Sequence, residues 1–145
     1  MPEAAKVAQL IREKLEVRGL TAWVKTSGKR GLHVVAPLDR GNTFDETRAY
    51  AHEVGIELAK KTGIISSEKG QKKPGTIYID YPQNGHGRTM ACPYSLRATS
   101  TATASTPVTW DELEAIDPSS FNIMNVPDRD DPWKEFWKRT GRVKG

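Results

Sequence analysis

The stretch Lys25–Leu38, KTSGKRGLHVVAPL, constrains the fold more than any other part of this sequence. Two runs of strand-like composition, 20–26 and 31–38, flank a short turn with two glycines, and this pattern predicts a hairpin. Apolar residues recur at helical spacing before the hairpin, and Thr43–Glu46 has the capping-box spacing that opens a second helix. The hairpin is therefore expected to lie between two helices in the chain.

The rest of the chain predicts two more strands and a tail of short helices. The runs 76–82 and 88–94 have strand composition, and the low-complexity run 99–106 is expected to be an exposed connection. Thr109–Glu112 repeats the capping-box spacing, and the segment 131–139 predicts a helix with its aromatic residues on one face. Those aromatic residues are Trp133, Phe136 and Trp137. The order of elements indicates an α+β fold with helices packed against a sheet.

Composition narrows the class of protein. The 145 residues are expected to form one domain, and no run approaches the length of a membrane span. Cys92 is the only cysteine, so no intrachain disulfide can form, and a cytoplasmic location is expected. The net charge of +4 fits a polyanionic partner. The basic segments 69–75 and 138–145 are expected either to contact nucleic-acid phosphates or to be solvated, flexible segments.

The hairpin turn carries groups that suit phosphate binding. Gly28 and Gly31 let backbone amides approach a ligand closely, and Ser27 offers a hydroxyl. Arg30 can bind a phosphate through two hydrogen bonds, and His33 can donate from its ring. The alternative is an ordinary charged surface turn.

Asp80 is the second candidate, because it follows apolar residues in the predicted strand 76–82. Its carboxylate could bind magnesium or manganese, which prefer hard oxygen ligands. The alternative is an aspartate that faces solvent or pairs with a cation. Arg97 follows the last predicted strand, and its alternative is a surface cation.

The segments KTSGKRGLHVVAPL, IYIDYPQNGHGRTMACPYSLRA and VTWDEL occur in this order and together resemble one known family. It is the polymerase domain of the bacterial non-homologous end-joining enzyme ligase D, within the archaeo-eukaryotic primase superfamily. The resemblance covers nearly the whole chain. It implies a primase-type core with a mostly antiparallel, RNA-recognition-like sheet packed against helices. It also implies template-directed addition of nucleotides at broken DNA ends with a divalent metal, preferably manganese.

The resemblance implies roles for the residues of the turn. The family's second motif falls on Ser27, Gly28, Gly31 and His33, and it implies that Ser27 and His33 contact the incoming triphosphate. Arg30 stands where the family usually has lysine, so the positive charge is retained. Lys29 stands where the family usually has glycine, so the turn itself departs from the family pattern at this position.

The resemblance also implies roles for Asp80 and Arg97. Asp80 corresponds to the aspartate of the third motif, which is a ligand of the catalytic metal, and Arg97 to an arginine that helps to hold the triphosphate. Gln83 and Asn84 match the pattern after that aspartate.

One part of the family pattern is missing. The first motif is an Asp-x-Asp pair on a strand before the first helix, and no such pair occurs upstream of Lys25. The chain is therefore expected to be the C-terminal portion of such a domain, without its first catalytic strand. Asp80 alone is expected to bind Mn²⁺ or Mg²⁺ weakly and without turnover. The acids at 128–131 are interpreted as a helix-start cluster rather than as replacement ligands.

The expected partners follow from the same resemblance. They are a nucleoside triphosphate, DNA ends, a polypeptide carrying the missing strand, a ligase domain or Ku, and a second copy of the chain at the vacated sheet position. The expected location is then the nucleoid. Two other functions stay open: a non-catalytic module that binds nucleotide or DNA phosphate, and a metal-dependent phosphoesterase that uses Asp80, His33 and His86.

Overall fold

The computed structural model describes residues 2–66, 68, 70 and 74–143. Its helices are α1 (Pro2–Val17) and α2 (Phe44–Thr62), and its strands are β1 (Trp23–Thr26), β2 (Leu32–Val35), β3 (Ile65–Ser66), β4 (Ile77–Tyr78) and β5 (Pro107–Val108). Short 3₁₀ turns lie at Tyr81–Asn84, Pro118–Ser120, Val126–Asp128 and Phe136–Lys138. Within the described residues, neither helix is long and apolar enough to cross a membrane. Lys69, Lys72 and Lys73 of the basic segment 69–75, and Lys144 and Gly145 of the basic tail, lie outside the described residues.

The strands form an antiparallel sheet and a small parallel pair. β1 lies between β2 and β5 and runs antiparallel to both. The pairing sets Lys25 opposite His33 on β2 and opposite Pro107 on β5. β3 and β4 pair in parallel as a separate two-stranded sheet. The predicted α+β class and the hairpin are confirmed, and the candidate site residues of the hairpin lie on or beside the central strand β1.

Helix α1 connects the two parts of the core. Ala5 and Ala8 pack into a cluster with Val24 of β1, whereas Val7 packs into a second cluster with Leu58 of α2. The predicted capping box starts α2, because the Thr43 hydroxyl accepts from the Glu46 amide and the Glu46 carboxylate accepts from the Thr43 amide. The two helices thus hold the hairpin and the β3–β4 pair against one core.

The run 99–106 differs most from the sequence expectation. It was expected to be exposed, yet Ser105 and Thr106 are fully buried. They are tolerated there because their hydroxyls bond to backbone carbonyls, that of Ser105 to Thr26 at 2.8 Å and that of Thr106 to Ala104 at 3.0 Å. The predicted strand 88–94 is also wrong, because the structure has no strand there, and the segment after it bonds to 103–105 instead.

The aromatic tail forms a 3₁₀ turn rather than an α-helix. The rings of Trp133 and Phe136 stack with centroids 4.9 Å apart, and both pack on Trp23, but Trp137 is 76% exposed. A 3₁₀ turn aligns residues three apart and rotates the next one away, so only two of the three aromatics share a face. Of the acids at 128–131, which were interpreted as a helix-start cluster, Asp131 makes a capping bond: its carboxylate accepts from the Trp133 amide. The segment that follows is a turn and not an α-helix.

Candidate functional site

The turn between β1 and β2 is held by Ser27. Its hydroxyl oxygen accepts from the amides of Lys29 at 3.1 Å and Gly31 at 3.0 Å, and its own amide donates to the Gly31 carbonyl at 2.9 Å. These bonds close the turn, so Ser27 has a structural task as well as the predicted ligand contact. The Ser27 hydroxyl hydrogen is not used in these bonds and can still be donated to a ligand.

Arg97 crosses the hairpin directly over Gly28. Gly28 has φ +73°, and a Cβ atom at this position would lie 2.5 Å from Cγ of Arg97. The Arg97 amide donates to the Thr103 carbonyl at 2.7 Å, and the Thr103 hydroxyl donates to the Gly28 carbonyl. The structure therefore brings two predicted site residues together, and the glycine is required both for its backbone conformation and for this close approach.

Lys25 is a candidate site residue that no motif in the sequence points to. Its side chain is fully buried, with Nζ 2.9 Å from Nδ1 of His33 and a hydrogen bond to the Ser105 hydroxyl. Burial, and next the nearby charge of Arg97, lower the pKa of Lys25 to about 8, against a smaller opposite effect from Cys92. A lysine among apolar strand residues gave no signal beyond its place two residues before Ser27.

His33 is neutral at physiological pH. Burial lowers the pKa of its imidazole to about 4, and the positive charges of Lys25 and Arg97 act in the same direction. No described carboxylate is among the groups that shift the pKa of Lys25 or of His33. Two cations and a neutral ring thus lie close together, and their positive charge favours an anion. The half-buried Arg97 and His33 side chains can donate hydrogen bonds to phosphate oxygens, whereas the fully buried Lys25 contributes charge only.

Arg30 and Asp80 lie outside this group. The Arg30 side chain is exposed at the tip of the turn. Asp80 was expected within a strand but is exposed just after β4, where the chain enters the 3₁₀ turn Tyr81–Asn84. The Tyr81 ring stacks on His52 of α2 with centroids 4.0 Å apart, which fixes the backbone next to Asp80.

The described residues do not form a two-cation site by themselves. No group of three or more His, Cys, Asp or Glu side chains that could hold a metal ion occurs among them. Asp80 can supply carboxylate oxygens to Mn²⁺ or Mg²⁺, but one aspartate cannot bridge two cations. Asp80, His33 and His86, the residues of the alternative phosphoesterase, therefore form no such group, and His33 bonds to Lys25 while His86 packs edge-on against Phe44.

Acid is expected to destabilise the protein through His33. The folded pKa of about 4 lies below the ordinary value of 6.5, so the unfolded chain takes up this proton first as pH falls. The contribution of His33 to the free energy of unfolding is complete above the pKa of the unfolded state. It is lost as pH falls through the pKa of the folded state. Because the ring is partly exposed, we expect the loss to be about 1–2 kcal/mol rather than the full value of the shift.

The measurement is urea unfolding at about pH 7 and about pH 4.5. His33→Asn does not titrate in this range and keeps an acceptor for Lys25, so it should lose less unfolding free energy on acidification than the wild type. Equal losses in the two proteins would contradict the depressed pKa of His33.

A family model and several curated proteins match this chain. The family model described as "LigD, primase-polymerase domain" matches residues 1–137. The multifunctional non-homologous end joining protein LigD of Pseudomonas aeruginosa is 30% identical over 142 residues, covering 90% of this chain and 17% of that protein. The bifunctional LigD of Bacillus subtilis is 29% identical over 130 residues, covering 87% of this chain and 21% of that protein.

A solved structure of a ligase D polymerase domain has the same fold as this chain. The polymerase domain from Mycobacterium tuberculosis ligase D, in complex with DNA, superposes with a TM-score of 0.81 at 27% sequence identity. The match covers 92% of this chain and 49% of that one. The chain therefore spans about half of the matched polymerase domain and about a fifth or less of the curated relatives.

Proposed function

Because the chain belongs to the LigD primase-polymerase family, we propose that it provides the triphosphate-binding part of a polymerase that extends broken DNA ends. The observation that supports this most is the group formed by Lys25, His33 and Arg97, which carries positive charge without a neutralising carboxylate. The alternatives of a phosphoesterase and of a purely non-catalytic module have no comparable support.

In this proposal the triphosphate lies against the β1–β2 hairpin. Arg97 and the Nε2 atom of His33 donate to phosphate oxygens, and the exposed Arg30 adds charge from the tip of the turn. Ser27 donates its remaining hydroxyl hydrogen. The negative charge of the ligand offsets the repulsion between Lys25 and Arg97, so the free protein holds an unfavourable charge arrangement that nucleotide binding relieves.

Asp80 contributes one ligand to the catalytic metal in this proposal. Bound Mn²⁺ or Mg²⁺ would neutralise phosphate charge and activate the attacking hydroxyl of the primer. The remaining carboxylates are assigned to an Asp-x-Asp pair on another segment or polypeptide. The DNA end is the second substrate, with a ligase domain and Ku as further candidate partners. A net charge of +4 supports DNA as a partner through contacts to phosphates.

Nucleotide binding tests the proposal directly. We expect Arg97→Gln to weaken binding of a manganese–ribonucleoside triphosphate by roughly 10–100-fold, the loss of a charge-assisted contact. Glutamine is chosen because it keeps part of the aliphatic stem that packs over Gly28. Affinity is measured by isothermal titration calorimetry.

Arg139→Ala is the matched control, since Arg139 is an exposed arginine after the 3₁₀ turn Phe136–Lys138. Its affinity should equal that of the wild type. Equal affinity in the Arg97→Gln variant, or an equal loss in both variants, would count against the assigned site.

A further inference from the structure

We propose that Lys25 is a positioning residue, which holds the His33 imidazole in the tautomer that carries its hydrogen on Nε2. The inference rests on the proposed function in one respect, namely that the partner of this Nε2–H group is a phosphate oxygen of the bound nucleotide. It assigns a role to a buried residue that has no other evident task in the fold.

The pairing of the strands creates the contact. Lys25 on β1 stands directly opposite His33 on β2, so the two side chains lie on the same face of the sheet. Their nitrogen atoms are 2.9 Å apart, which is hydrogen-bond distance. The lysine is fully buried, so water does not compete for this bond.

The chemistry of the two groups fixes the direction of the bond. An ammonium group only donates, so the Nδ1 atom of His33 must accept. A neutral imidazole has a single N–H group, and with Nδ1 accepting, that hydrogen is on Nε2. Protonation of the ring would set two donors against each other, which agrees with the neutral state of His33 described above.

The hydrogen bond between Lys25 and Ser105 also shows that Lys25 acts as a donor. Its hydroxyl donates its only hydrogen to the Thr26 carbonyl at 2.8 Å, so its oxygen accepts from Lys25. The result is a chain of hydrogen bonds in which Lys25 donates both to Ser105 and to His33. The buried bonds of this chain hold Nζ in place and leave the imidazole little freedom to exchange tautomers.

Burial of Lys25 does not stabilise the fold, so its presence needs another explanation. A buried ammonium is costly unless it is paired, and no described carboxylate is among the groups that shift its pKa. A methionine of similar length would avoid the burial of charge. A buried lysine at this position is explained if its donor bond and charge serve the ligand site.

The ¹⁵N chemical shifts of the His33 ring report the tautomer directly. The wild type should show one protonated nitrogen, Nε2, and one unprotonated nitrogen, Nδ1. Lys25→Met should show averaged shifts of mixed tautomers and roughly tenfold weaker nucleotide binding. Lys60→Met, at an exposed lysine in the last turn of α2, should change neither. His33→Asn assigns the signals, because the chain has three histidines.

A second measurement needs no substitution at Lys25. The titratable groups that act on the pKa of Lys25 are Arg97 and Cys92, and His33 is bonded to Lys25 across the strands. Raising the pH through about 8 should neutralise Lys25 and change the Nδ1 shift of His33, although the imidazole itself does not titrate there. Cys92→Ser excludes the thiol as the source of this change, so the change should persist in that variant.

The outcomes separate this inference from the proposed function. A His33 ring with its hydrogen on Nδ1, or a tautomer that is the same in Lys25→Met and unaffected by pH, would overturn the role of Lys25. If the Lys25→Met variant does not fold, the pH titration of the wild type decides. A wild type that shows the predicted tautomer but binds no triphosphate would overturn the proposed function and leave the positioning of His33 by Lys25 standing.

Discussion

Primer extension by the 145-residue chain alone is expected to be undetectable, and a polypeptide that carries an Asp-x-Asp strand is expected to restore it. Nucleotidyl transfer needs one cation at the attacking hydroxyl and another at the triphosphate. Asp80 supplies one carboxylate, and the described residues contain no group of three metal-ligating side chains. We therefore expect nucleotide to bind at the hairpin without reaction until further carboxylates are supplied.

The assay uses manganese, ribonucleotides and a primed template, with and without the added polypeptide. In the complemented reaction Asp80→Ala should reduce extension by at least about 100-fold, because the metal contribution is worth several kcal/mol. Asp130→Ala is the matched control at another exposed aspartate and should retain activity. Robust extension by the chain alone that Asp80→Ala abolishes would show that the other ligands lie within these 145 residues.

Gly28→Ala is expected to cause the largest loss of stability among single glycine substitutions in the part of the chain that the structure describes. The added Cβ would lie 2.5 Å from Arg97 Cγ and 3.0 Å from backbone atoms of Ala104 and Ser105, in a residue with φ +73°. The backbone conformation costs about 1–2 kcal/mol and the overlap about 1–3 kcal/mol, so we expect a total of about 2–5 kcal/mol. Nucleotide affinity should fall as well, because Arg97 must move.

Gly87→Ala is the control that separates the two causes. Gly87 has almost the same backbone angle, φ +72°, but no described atom outside its immediate neighbours lies within 4 Å of the position that a Cβ would take there. Its substitution should lower the free energy of unfolding only by the cost of the backbone conformation, about 1–2 kcal/mol. Unfolding in urea measures both variants. Equal losses at the two positions would show that Arg97 and the 104–105 backbone do not pack against Gly28 as described.

Local signals in the sequence were sufficient for α1, α2 and the hairpin, but not for the predicted helix at 131–139. Thr43 and Glu46 cap α2 through bonds that span three residues, and Gly63 ends it with φ 64°. The hairpin is likewise closed by bonds from Ser27 to residues two and four positions away. Such contacts depend on neighbours in the chain, so residue type and spacing predict them without knowledge of the rest of the fold.

The family was also accessible from the sequence, because its ordered motifs lie in the chain as short segments that can be read directly. The resemblance to the ligase D polymerase domain agrees with the family model and with the fold of the solved relative. The roles of Ser27, Arg30, His33, Asp80 and Arg97 in binding stay predictions that the experiments above decide.

Only the tertiary structure decided which polar residues are buried and what they bond to. The run 99–106 has the composition of a surface loop, but Ser105 and Thr106 are buried because β1 lies beside them, about eighty residues away in the chain. Lys25 becomes a candidate site residue for the same reason, since its partners His33 and Ser105 come from two other segments. Burial and hydrogen bonding between distant segments depend on how the elements pack, and no local pattern of residues encodes that arrangement.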